Sequence, residues 1–367
     1  MSGTPAGLDY LVDKSDWKQQ RQVAGPVPEL GAGQVLFRVD RFALTANNIS
    51  YALAGDMLGY WRFFPAPDGW GRIPVMGFGD VIQSRHPAVS EGTRCFGFYP
   101  MSRYLVIEPG QVDASQIVDG AAHRAELAAA YNQYRPVAAD PLYQANHEDQ
   151  LMLLRGLFLT SFLADDFLAE HGHYGATSVV ISSASSKTSI ALGFQVSRAA
   201  VAKAVGLTSA RNLDFVRGLG CYDSVLTYDE VGALDPSTPA VFVDMAGDGG
   251  VLRKVHEHFG EQLRHSCSIG ATHWQAPHDG AALPGPKPQF FFAPSQIQKR
   301  VAEWGPAVFQ ERLAAAWGAF REFADGWLRV QRGYGPEAVA RVFNDTLEGR
   351  TLPAHGHVLS LWEQSAT

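Results

Sequence analysis

The sequence predicts a two-domain α/β protein in which a β-rich part is joined to a part where strands and helices alternate. The length, 367 residues, suits two domains of ordinary size. The first part of the chain carries strand-like segments that Gly and Pro interrupt. From residue 148 onward, short apolar runs alternate with helical patterns, which is typical of βαβ units around a parallel sheet.

The β-rich part is predicted from three segments. The first, residues 33–44, alternates apolar and polar side chains as a half-buried strand does. Residues 74–84 and 92–107 are the other two strand candidates. The stretch 55–74, which precedes the second segment, is rich in aromatic and turn residues, so we predict an irregular loop there. Such a loop either covers a ligand or is a packed surface connection.

The alternating part begins with a helix at residue 148 that is predicted to end at Gly172, a residue suited to a helix C-cap. The later strands are short and almost wholly apolar, as expected of strands buried on both faces of a sheet. A long amphipathic helix is predicted over 311–330, followed by another helix and a closing strand up to residue 362. Strands are predicted at 177–183, 203–209, 223–228, 239–247 and 264–272, with helices at 187–202, 210–220 and 251–260.

The charge and the cysteines of the chain argue against some classes of protein. The formal net charge is -7 and no run of Lys or Arg occurs. Nucleic-acid and anionic-membrane surfaces need basic patches, so we expect neither partner and predict a small-molecule substrate. Cys95, Cys221 and Cys267 lie far apart, which indicates reduced, buried thiols in a cytoplasmic protein. The sequence has no apolar run of about 18 residues, so no membrane span is expected.

The stretch 179–189, VVISSASSKTS, has the pattern of a buried strand that runs into a turn and a helix. The N-terminus of a helix exposes unpaired N–H groups and a partial positive charge, so it is suited to binding an anion. The alternative is that serines only cap the helix. A Walker A loop is excluded, because both glycines of that motif are missing. The predicted cofactor-binding residues of this turn are Ser183, Ser185, Ser186, Lys187 and Thr188.

A second anion-binding turn is predicted at the end of the next strand. It reads GLTSARN and contains Thr208, Ser209, Arg211 and Asn212. In a dinucleotide fold this strand end faces the adenosine ribose, where an acidic residue suits NAD and an arginine with hydroxyls suits the 2′-phosphate of NADP. Arg211 is present and no carboxylate is, so NADP is the predicted cofactor. The alternative is an exposed helix start that Ser209 caps.

The order of these segments resembles the zinc-free medium-chain dehydrogenase/reductase superfamily, of the quinone oxidoreductase and enoyl reductase type. Residues 33–55 resemble the first strand of the family's catalytic domain with its N-P-x-D loop, and IPVMGFGDVIQS resembles the P-x-x-x-G-x-E-x-x-G-x-V stretch. LFLTSFLADDFLAEHG resembles the LTAYxAL helix, and RNLDFVRGLGCYDSVLTYDE resembles KxxxAxxLGADxVINY. AVFVDMAG, SIGAT and VFNDTLEGRTLPAHGHVLSL are similar to later landmarks.

The resemblance implies a domain organisation and an oligomeric state. A GroES-like β-rich catalytic domain is expected over 1–145 and 331–367. A Rossmann domain with a doubly wound parallel sheet is expected over 146–330. Homodimers that form through edge strands of the nucleotide domain are a further expectation.

The chain departs from the family at the dinucleotide turn and at the zinc ligands. The family's turn reads GAxxGxxG, and its glycines fall on Ser183, Ser186 and Ser189, with Lys187 between them. Serine is small, but its Cβ disfavours a positive φ, so we expect the pyrophosphate to lie further out, held by hydroxyls and by Lys187. The zinc ligands are absent, and the lone histidines lack partners at ligand spacing, namely His86, His173 and His273.

The candidate catalytic residues follow from the N-P-x-D loop, which falls on residues 45–48. Asn48 replaces the acidic residue, and an amide orients a carbonyl or a nicotinamide but cannot act as an acid. Some enoyl reductases of this type use a tyrosine in this loop as the proton donor, which makes Tyr60 and Tyr51 candidates. The alternative is that both tyrosines pack as aromatic core.

These observations lead to one hypothesis and two rivals. Hydride addition to a carbonyl-activated double bond needs polar groups that bind the enolate and deliver a proton, but no zinc. We therefore predict an NADPH-dependent oxidoreductase that reduces an activated C=C bond (enoyl or enal) or a quinone-type substrate without a metal. One rival is a catalytically inactive or ligand-sensing relative with a remodelled turn. The other is a turn that binds a different anion, such as a CoA-type phosphate.

Overall fold

The structure is a computed structural model that describes residues 6–269 and 283–364. In chain order, the strands within these residues are β1 (Gly7–Asp13), β2 (Gln20–Gly25), β3 (Val35–Leu44), β4 (Trp70–Gly71), β5 (Pro74–Ser84), β6 (Arg94–Pro100), β7 (Tyr104–Ile107), β8 (Pro109–Val112), β9 (Ile117–Asp119), β10 (Gln133–Pro136), β11 (Ser178–Ile181), β12 (Lys203–Thr208), β13 (Ser224–Thr227), β14 (Ala240–Asp244), β15 (Leu263–Ser268), β16 (Gln289–Phe290), β17 (Arg329–Tyr334) and β18 (His355–Ser360). The helices are α1 (Ala46–Leu53), α2 (Glu148–Glu170), α3 (Lys187–Ala199), α4 (Leu213–Leu219), α5 (Gly249–Phe259), α6 (Ala293–Trp304), α7 (Pro306–Asp325) and α8 (Gly335–Leu347).

The chain divides into two compact units. The first contains Met1–Leu153 and Arg329–Thr367, and the second is the continuous segment Leu154–Leu328. The first unit is β-rich and the second holds a parallel sheet, so the predicted fold class is confirmed. In the described part of the chain, no helix combines the length and the apolar character needed to cross a membrane.

The first unit is built mainly on antiparallel pairing. Its larger sheet follows the order β17-β18-β3-β5-β6-β10-β9-β8, with β7 also pairing with β3, and its smaller sheet follows β2-β1-β4. β18, the last strand of the described residues, pairs with β3 so that His357 lies opposite Leu44. Apolar side chains of these strands form one core that includes Phe37, Phe98 and Tyr134.

An ion network fixes the first turn of α2 to the sheet of the first unit. Arg94 of β6 donates two hydrogen bonds to Glu148, of 2.7 and 2.8 Å, and one of 2.7 Å to Asp40. Arg332 of β17 donates to Asp149 over 2.6 Å. Carboxylates in the first turn also interact favourably with the positive end of the helix dipole. The start of α2 is therefore held from two sides.

The second unit contains a parallel sheet in the order β13-β12-β11-β14-β15-β16. Numbered along the chain, this is the 3-2-1-4-5-6 order of a doubly wound sheet. The chain winds one way from β11 to β13 and the other way from β14 to β16, so the direction switches between β11 and β14. In such sheets ligands bind outside the carboxyl ends of the strands at the switch point. All four residues of β11 are buried, as the apolar pattern predicts.

The structure differs from the predicted elements in several places. The helix predicted over 311–330 ends earlier, as α7, and the chain then forms β17. The apolar spacing continues through Leu328 and Val330, so the periodicity did not reveal the change from helix to strand. The loop predicted over 55–74 contains β4. β1, β2, α1 and α6 also lie outside the predicted elements.

A left-handed turn follows α2, where the sequence predicts only a glycine cap. The φ angles of Gly172, His173, Tyr174 and Gly175 are 55°, 49°, 53° and 72°. This conformation costs non-glycine residues roughly 1–2 kcal/mol each. The ring of Tyr174 stacks on His265, with centroids 4.2 Å apart and planes 5° apart. The stacking of Tyr174 on His265 offsets part of this backbone cost.

Candidate functional site

Ser182, the residue after β11, joins the two strands at the switch point. Its side chain is completely buried, and its hydroxyl donates a hydrogen bond of 2.6 Å to Oδ1 of Asp244 at the end of β14. The N–H groups of Met245 and Ala246 donate to the same hydroxyl over 2.8 and 2.9 Å. Ser182 therefore fixes the backbone that follows β14. Its single hydroxyl proton is donated to Asp244.

Asp244 is the buried carboxylate of this site. It also accepts hydrogen bonds from the N–H groups of Ala246 and Gly247, at 3.1 and 3.2 Å. Burial raises its pKa, and the hydrogen bonds from Ser182 and the backbone oppose that rise. Sequence reasoning missed this residue, although a carboxylate that closes the otherwise apolar strand AVFVD is a detectable signal.

The turn after β11 takes a conformation that normally needs glycine. Ser183 has a φ of 50°, so the expectation that its Cβ would keep it out of this region is wrong. Its N–H donates to the hydroxyl of Tyr228 over 3.2 Å. The N–H of Ala184 donates to the carbonyl of Leu207 over 2.9 Å, and the hydroxyl of Tyr222 donates to the carbonyl of Ala184 over 3.1 Å. These bonds hold the turn against the backbone strain at Ser183.

Ser186 is the N-cap of α3. Its hydroxyl accepts a hydrogen bond from the N–H of Ser189 over 3.1 Å and donates to the Ser189 hydroxyl over 2.8 Å. The Ser189 hydroxyl donates to the carbonyl of Ser182 over 2.9 Å. Two of the family's three glycine positions therefore carry serines whose hydroxyls make hydrogen bonds at the N-terminus of α3. This is the helix capping that the sequence offered as the alternative to anion binding.

Lys187 is the first residue of α3 and is half-buried. Burial lowers the pKa of its amino group to about 8. Its charge adds to the partial positive charge at the N-terminus of α3. The next residue, Thr188, is also half-buried, and its carbonyl accepts a hydrogen bond of 2.7 Å from the hydroxyl of Ser161. This end of the helix suits an anion.

The second predicted turn, after β12, lies beside the first. The side-chain amide of Asn212 donates to the hydroxyl of Ser185 over 3.0 Å, so the structure brings the two turns together. Ser209 accepts the N–H of Asn212 at its carbonyl over 2.9 Å. Arg211 is exposed and has no hydrogen bond or ion pair among the described residues. Thr208 is only 1% exposed, and its hydroxyl has no hydrogen-bond partner in the described part of the chain.

Asn48, in the first unit, is bound on both sides of its amide. Its Oδ1 accepts a hydrogen bond of 2.7 Å from the N–H of Thr45, and its Nδ2 donates to the carbonyl of Pro74 over 2.8 Å. The side chain is buried. These bonds cap α1 and attach it to the start of β5.

Tyr51 of α1 and Tyr60 lie in ring contact in the first unit, with centroids 4.4 Å apart. A third tyrosine, Tyr131, contacts both rings, at 6.1 Å from Tyr51 and 5.9 Å from Tyr60. Sequence reasoning missed Tyr131, because it comes from the short turn Ala129–Asn132, far along the chain. We call Tyr51, Tyr60 and Tyr131 the tyrosine cluster.

The pKa of each phenol in the tyrosine cluster is raised above its usual value. Burial and the charge of Tyr60 raise the pKa of Tyr51, while hydrogen bonds from Tyr131 and Asn47 lower it in part. Burial and the charge and hydrogen bond of Tyr131 raise the pKa of Tyr60. The charge of Tyr51, then burial, raises the pKa of Tyr131. All three phenols therefore stay protonated at neutral pH and act as hydrogen-bond donors.

Two of the three predicted lone histidines, His86 and His173, lie in the described residues. His86 is half-buried, and its Nδ1 accepts the N–H of Ala88 over 3.2 Å. Burial lowers the pKa of His173 in the left-handed turn. His273 lies outside the described residues, as do residues 270–272 of the SIGAT stretch. Within 6–269 and 283–364, no group of three or more His, Cys, Asp or Glu side chains is placed to hold a metal ion.

A β-rich unit interrupted by a doubly wound unit is the architecture of the medium-chain dehydrogenases/reductases, and the resemblance to the quinone and enoyl reductases of this superfamily is confirmed at the level of the fold. The chain belongs to DUF2855, a family described as proteins of unknown function, whose model matches residues 42–352. No curated protein matches the chain by sequence.

Solved structures that share the fold include several reductases. CurA from Vibrio vulnificus in complex with NADPH is 14% identical, with a TM-score of 0.61, over 97% of this chain and 99% of that chain. A protein assigned provisionally as an NADPH:quinone reductase, from Mesorhizobium loti, is 14% identical with a TM-score of 0.59, over 97% and 99%. The CurK enoyl reductase is 13% identical with a TM-score of 0.52, over 96% and 99%.

Proposed function

We propose that the protein is an NADPH-dependent oxidoreductase that reduces an activated C=C bond or a quinone-type substrate without a metal. The observation that carries the proposal is the joining of two anion-suited turns, after β11 and β12, by the bond between Asn212 and Ser185. Both turns lie at the carboxyl ends of a doubly wound sheet, where dinucleotides bind in this architecture. The NADPH in the CurA structure, which has the same fold, supports the choice of cofactor.

Two cations support a phosphorylated cofactor. Lys187 adds a full charge at the start of α3, which suits the pyrophosphate. Arg211 is exposed after β12, where its guanidinium suits the 2′-phosphate that distinguishes NADPH from NADH. Thr208, by contrast, is buried beneath this strand end, so the proposal gives its hydroxyl no part in binding.

The chemistry of the proposed reaction divides between the cofactor and the chain. NADPH, when bound, supplies a hydride to the substrate. The chain binds the phosphates through the two turns and provides the protonated phenols of the tyrosine cluster, which donate hydrogen bonds to an oxygen that gains negative charge.

Titration of the purified protein with NADPH and NADH, followed by nicotinamide fluorescence, tests the proposal. We expect saturable binding of NADPH at micromolar concentrations and weaker binding of NADH, because only NADPH carries the 2′-phosphate. Absence of saturable binding of either nucleotide below roughly 1 mM would contradict the proposal. Oxidation of NADPH at 340 nm with 2-hexenal and with 1,4-benzoquinone then identifies the substrate class.

A second candidate function is that of a catalytically inactive or ligand-sensing relative. It is favoured because several polar groups of the two sites already make hydrogen bonds within the protein. The amide of Asn48 is bound on both sides, the hydroxyl of Ser186 caps α3, and the N–H of Ser183 donates to Tyr228. This candidate predicts that NADPH binds without turnover of an enal, a quinone or an enoyl thioester.

We also propose that the protein forms a homodimer through β16, the edge strand of the described parallel sheet. Phe290 of β16 and the nearby Phe292 support this, since their side chains are 54% and 57% exposed. Exposed apolar side chains on an open strand edge favour pairing with another chain. Sedimentation velocity should show a dimer for the wild type and a monomer for Phe290→Asp with Phe292→Asp. A wild-type monomer would rule the dimer out.

A further inference from the structure

Two buried glycines of the second unit leave room for the ring of Tyr222. Gly193 lies within α3, and a Cβ at this position would come within 2.5 Å of the ring. Gly206 lies within β12, and a Cβ there would come within 3.1 Å of the same ring. Glycine weakens the interior of a helix or a strand, so its presence there indicates that another group approaches closely. The ring of Tyr222 therefore lies between α3 and β12.

The hydroxyl of Tyr222 binds the turn that follows β11. It donates a hydrogen bond of 3.1 Å to the carbonyl of Ala184. Burial raises the pKa of Tyr222 well above its usual value, so the phenol stays protonated and remains a donor. Phenylalanine would fill the same space without the free-energy cost of burying a hydroxyl. The bond to Ala184 is therefore what the hydroxyl contributes at this position.

Ala184 is held at its N–H, its carbonyl and its side chain. The residue is completely buried, and its N–H donates to the carbonyl of Leu207 in β12 over 2.9 Å. A Cβ at Gly206 would lie 2.9 Å from the Cβ of Ala184, so a glycine is needed for β12 to approach the turn this closely. Together, β12 and Tyr222 determine where the middle of the turn lies.

The conformation of Ser183 depends on these contacts, because it directly precedes Ala184. Its φ of 50° is unfavourable for a residue with a Cβ, and such strain persists only where the surroundings hold it. The carbonyl of Ser183 accepts the N–H of Ser186, the N-cap of α3, over 2.7 Å. A change in the backbone of Ser183 would therefore move the N-terminus of α3, which is the part of the turn that suits an anion.

On the basis of the proposed function, we infer that Tyr222 is the positioning residue that holds the glycine-free turn in the conformation that binds a pyrophosphate group. Tyr222 acts through Ala184 and is not itself a ligand of the phosphates. Glycines in a dinucleotide turn allow a tight turn and a close approach of the backbone to the pyrophosphate. In this chain the turn holds serines, and the glycines lie beside the ring that supports it, at Gly193 and Gly206.

Hydrogen exchange of the ligand-free protein tests whether Tyr222 holds the turn. Tyr222→Phe keeps the ring and removes only the hydroxyl. Tyr99→Phe is the matched control, because the hydroxyl of Tyr99 in the first unit also donates to a carbonyl, that of Cys95, over 3.1 Å. Peptides that cover residues 182–187 should exchange about tenfold faster in Tyr222→Phe and at the wild-type rate in Tyr99→Phe. Exchange at the wild-type rate in Tyr222→Phe would overturn the inference.

Titration with NADPH and with NADH gives the second readout. Both nucleotides contain the pyrophosphate, so Tyr222→Phe should weaken both by the same factor, about tenfold, and leave the preference for NADPH unchanged. A residue that only stabilises the fold would leave both affinities unchanged in the folded protein, as we expect of Tyr99→Phe. Thermal unfolding verifies that the variants are folded at the temperature of the titration. Wild-type affinities in Tyr222→Phe would overturn the inference and leave the proposed function standing.

Gly193→Ala removes the same hydrogen bond without a change at Tyr222. The new Cβ displaces the ring and with it the hydroxyl, while alanine itself favours the helix. We expect Gly193→Ala to weaken NADPH binding about tenfold, and the double variant with Tyr222→Phe to bind within about twofold of either single variant, because all three lose one bond. Losses that multiply in the double variant would contradict the role of Tyr222.

Inorganic pyrophosphate separates the failure of this inference from the failure of the proposed function. If the wild type binds neither nucleotide, the proposed function fails, and calorimetric titration with pyrophosphate decides the role of Tyr222. Binding about tenfold weaker in Tyr222→Phe than in Tyr99→Phe supports that role. Equal binding by the two variants, or no binding by the wild type, rules it out.

Discussion

The hydroxyl of Ser182 donates a 2.6 Å hydrogen bond to the carboxylate of Asp244 and so ties two neighbouring parallel strands together at the switch point of the sheet. Ser182→Ala leaves the carboxylate and the N–H groups of Met245 and Ala246 short of a partner. We expect the free energy of unfolding to fall by about 1–3 kcal/mol, since the groups are buried. Urea denaturation measures this. Ser237→Ala, an exposed serine bonded only to a carboxylate two residues away, is the control and should change it by less than about 0.5 kcal/mol.

The affinity for NADPH should depend on the charge of Lys187. The pKa of its amino group is about 8, so raising the pH from 7 to 9.5 removes the charge that the proposed function assigns to phosphate binding. We expect NADPH binding to weaken over this range by about tenfold, and Lys187→Ala to be weak at both pH values. Lys187→Arg stays charged and should lose the pH dependence. Fluorescence titration at the two pH values measures the affinities. The same pH dependence in Lys187→Ala as in the wild type would contradict this role.

Arg211 and Thr208 were predicted together as ligands of the 2′-phosphate, but in the structure Arg211 is exposed and Thr208 is buried. Arg211→Ala should weaken NADPH binding about tenfold and leave NADH unchanged, because only NADPH carries the phosphate. Thr208→Val should leave both affinities within about twofold and should not lower stability, because the buried hydroxyl has no partner to lose. Parallel titrations and melting curves test the pair. A large loss of NADPH binding in Thr208→Val would return this hydroxyl to the binding site.

His265 should make the second unit sensitive to acid. Burial, followed by the charge of His171, lowers its pKa to about 4 from a usual value near 6.5. The unfolded chain therefore binds a proton between these values while the folded chain does not. The contribution of His265 to the free energy of unfolding is therefore full above pH 6.5. It falls by on the order of 1–3 kcal/mol as the pH drops towards 4. His265→Phe keeps the ring that stacks on Tyr174 and should flatten this dependence. Unfolding at pH 7 and pH 4.5 provides the comparison.

Asp165 should act in the opposite direction over the same pH range. Burial, and then the charge of Asp166, raises its pKa to about 7. The folded chain therefore keeps a proton that the unfolded chain loses above pH 4, so this contribution to stability is full below pH 4 and is lost as the pH rises through 7. Asp165→Asn carries no charge and should raise the melting temperature at pH 8 more than at pH 5. An equal change at both pH values would show that the carboxyl does not titrate in this range.

Local patterns predicted those parts of the fold whose signal lies within a few residues. β5 runs from Pro74 to Ser84, the segment predicted from the sequence, and β11 lies within the apolar run that predicted it. β17 was missed because its first residues continue the apolar spacing of the preceding helix. The short edge strand β16 has two residues, too few for any periodicity to show.

In the candidate site, too, local sequence patterns predicted single turns but not the contacts between distant parts of the chain. The turn residues were predicted from one stretch of sequence, because a strand followed at once by a helix start is a local signal. The bond between Ser182 and Asp244 and the position of Tyr131 depend on which strands and turns meet in the folded chain. The positive φ of Ser183 was wrongly judged because residue preference is only a few kcal/mol, and surrounding hydrogen bonds supply as much.

The pairing of β18 with β3 determines the order in which the chain can fold during synthesis. β3 emerges early, but its partner β18 is made only after the whole second unit has been translated. The second unit is continuous and can therefore fold first. Until β18 has been made, the edge of β3 that pairs with it stays unpaired. The bond between Asp149 and Arg332 shows that the two ends of the interruption meet in the finished first unit. A ribosome that stops before β18 would release a protein with a complete second unit and a β-sheet that lacks a partner strand at one edge and is prone to aggregation.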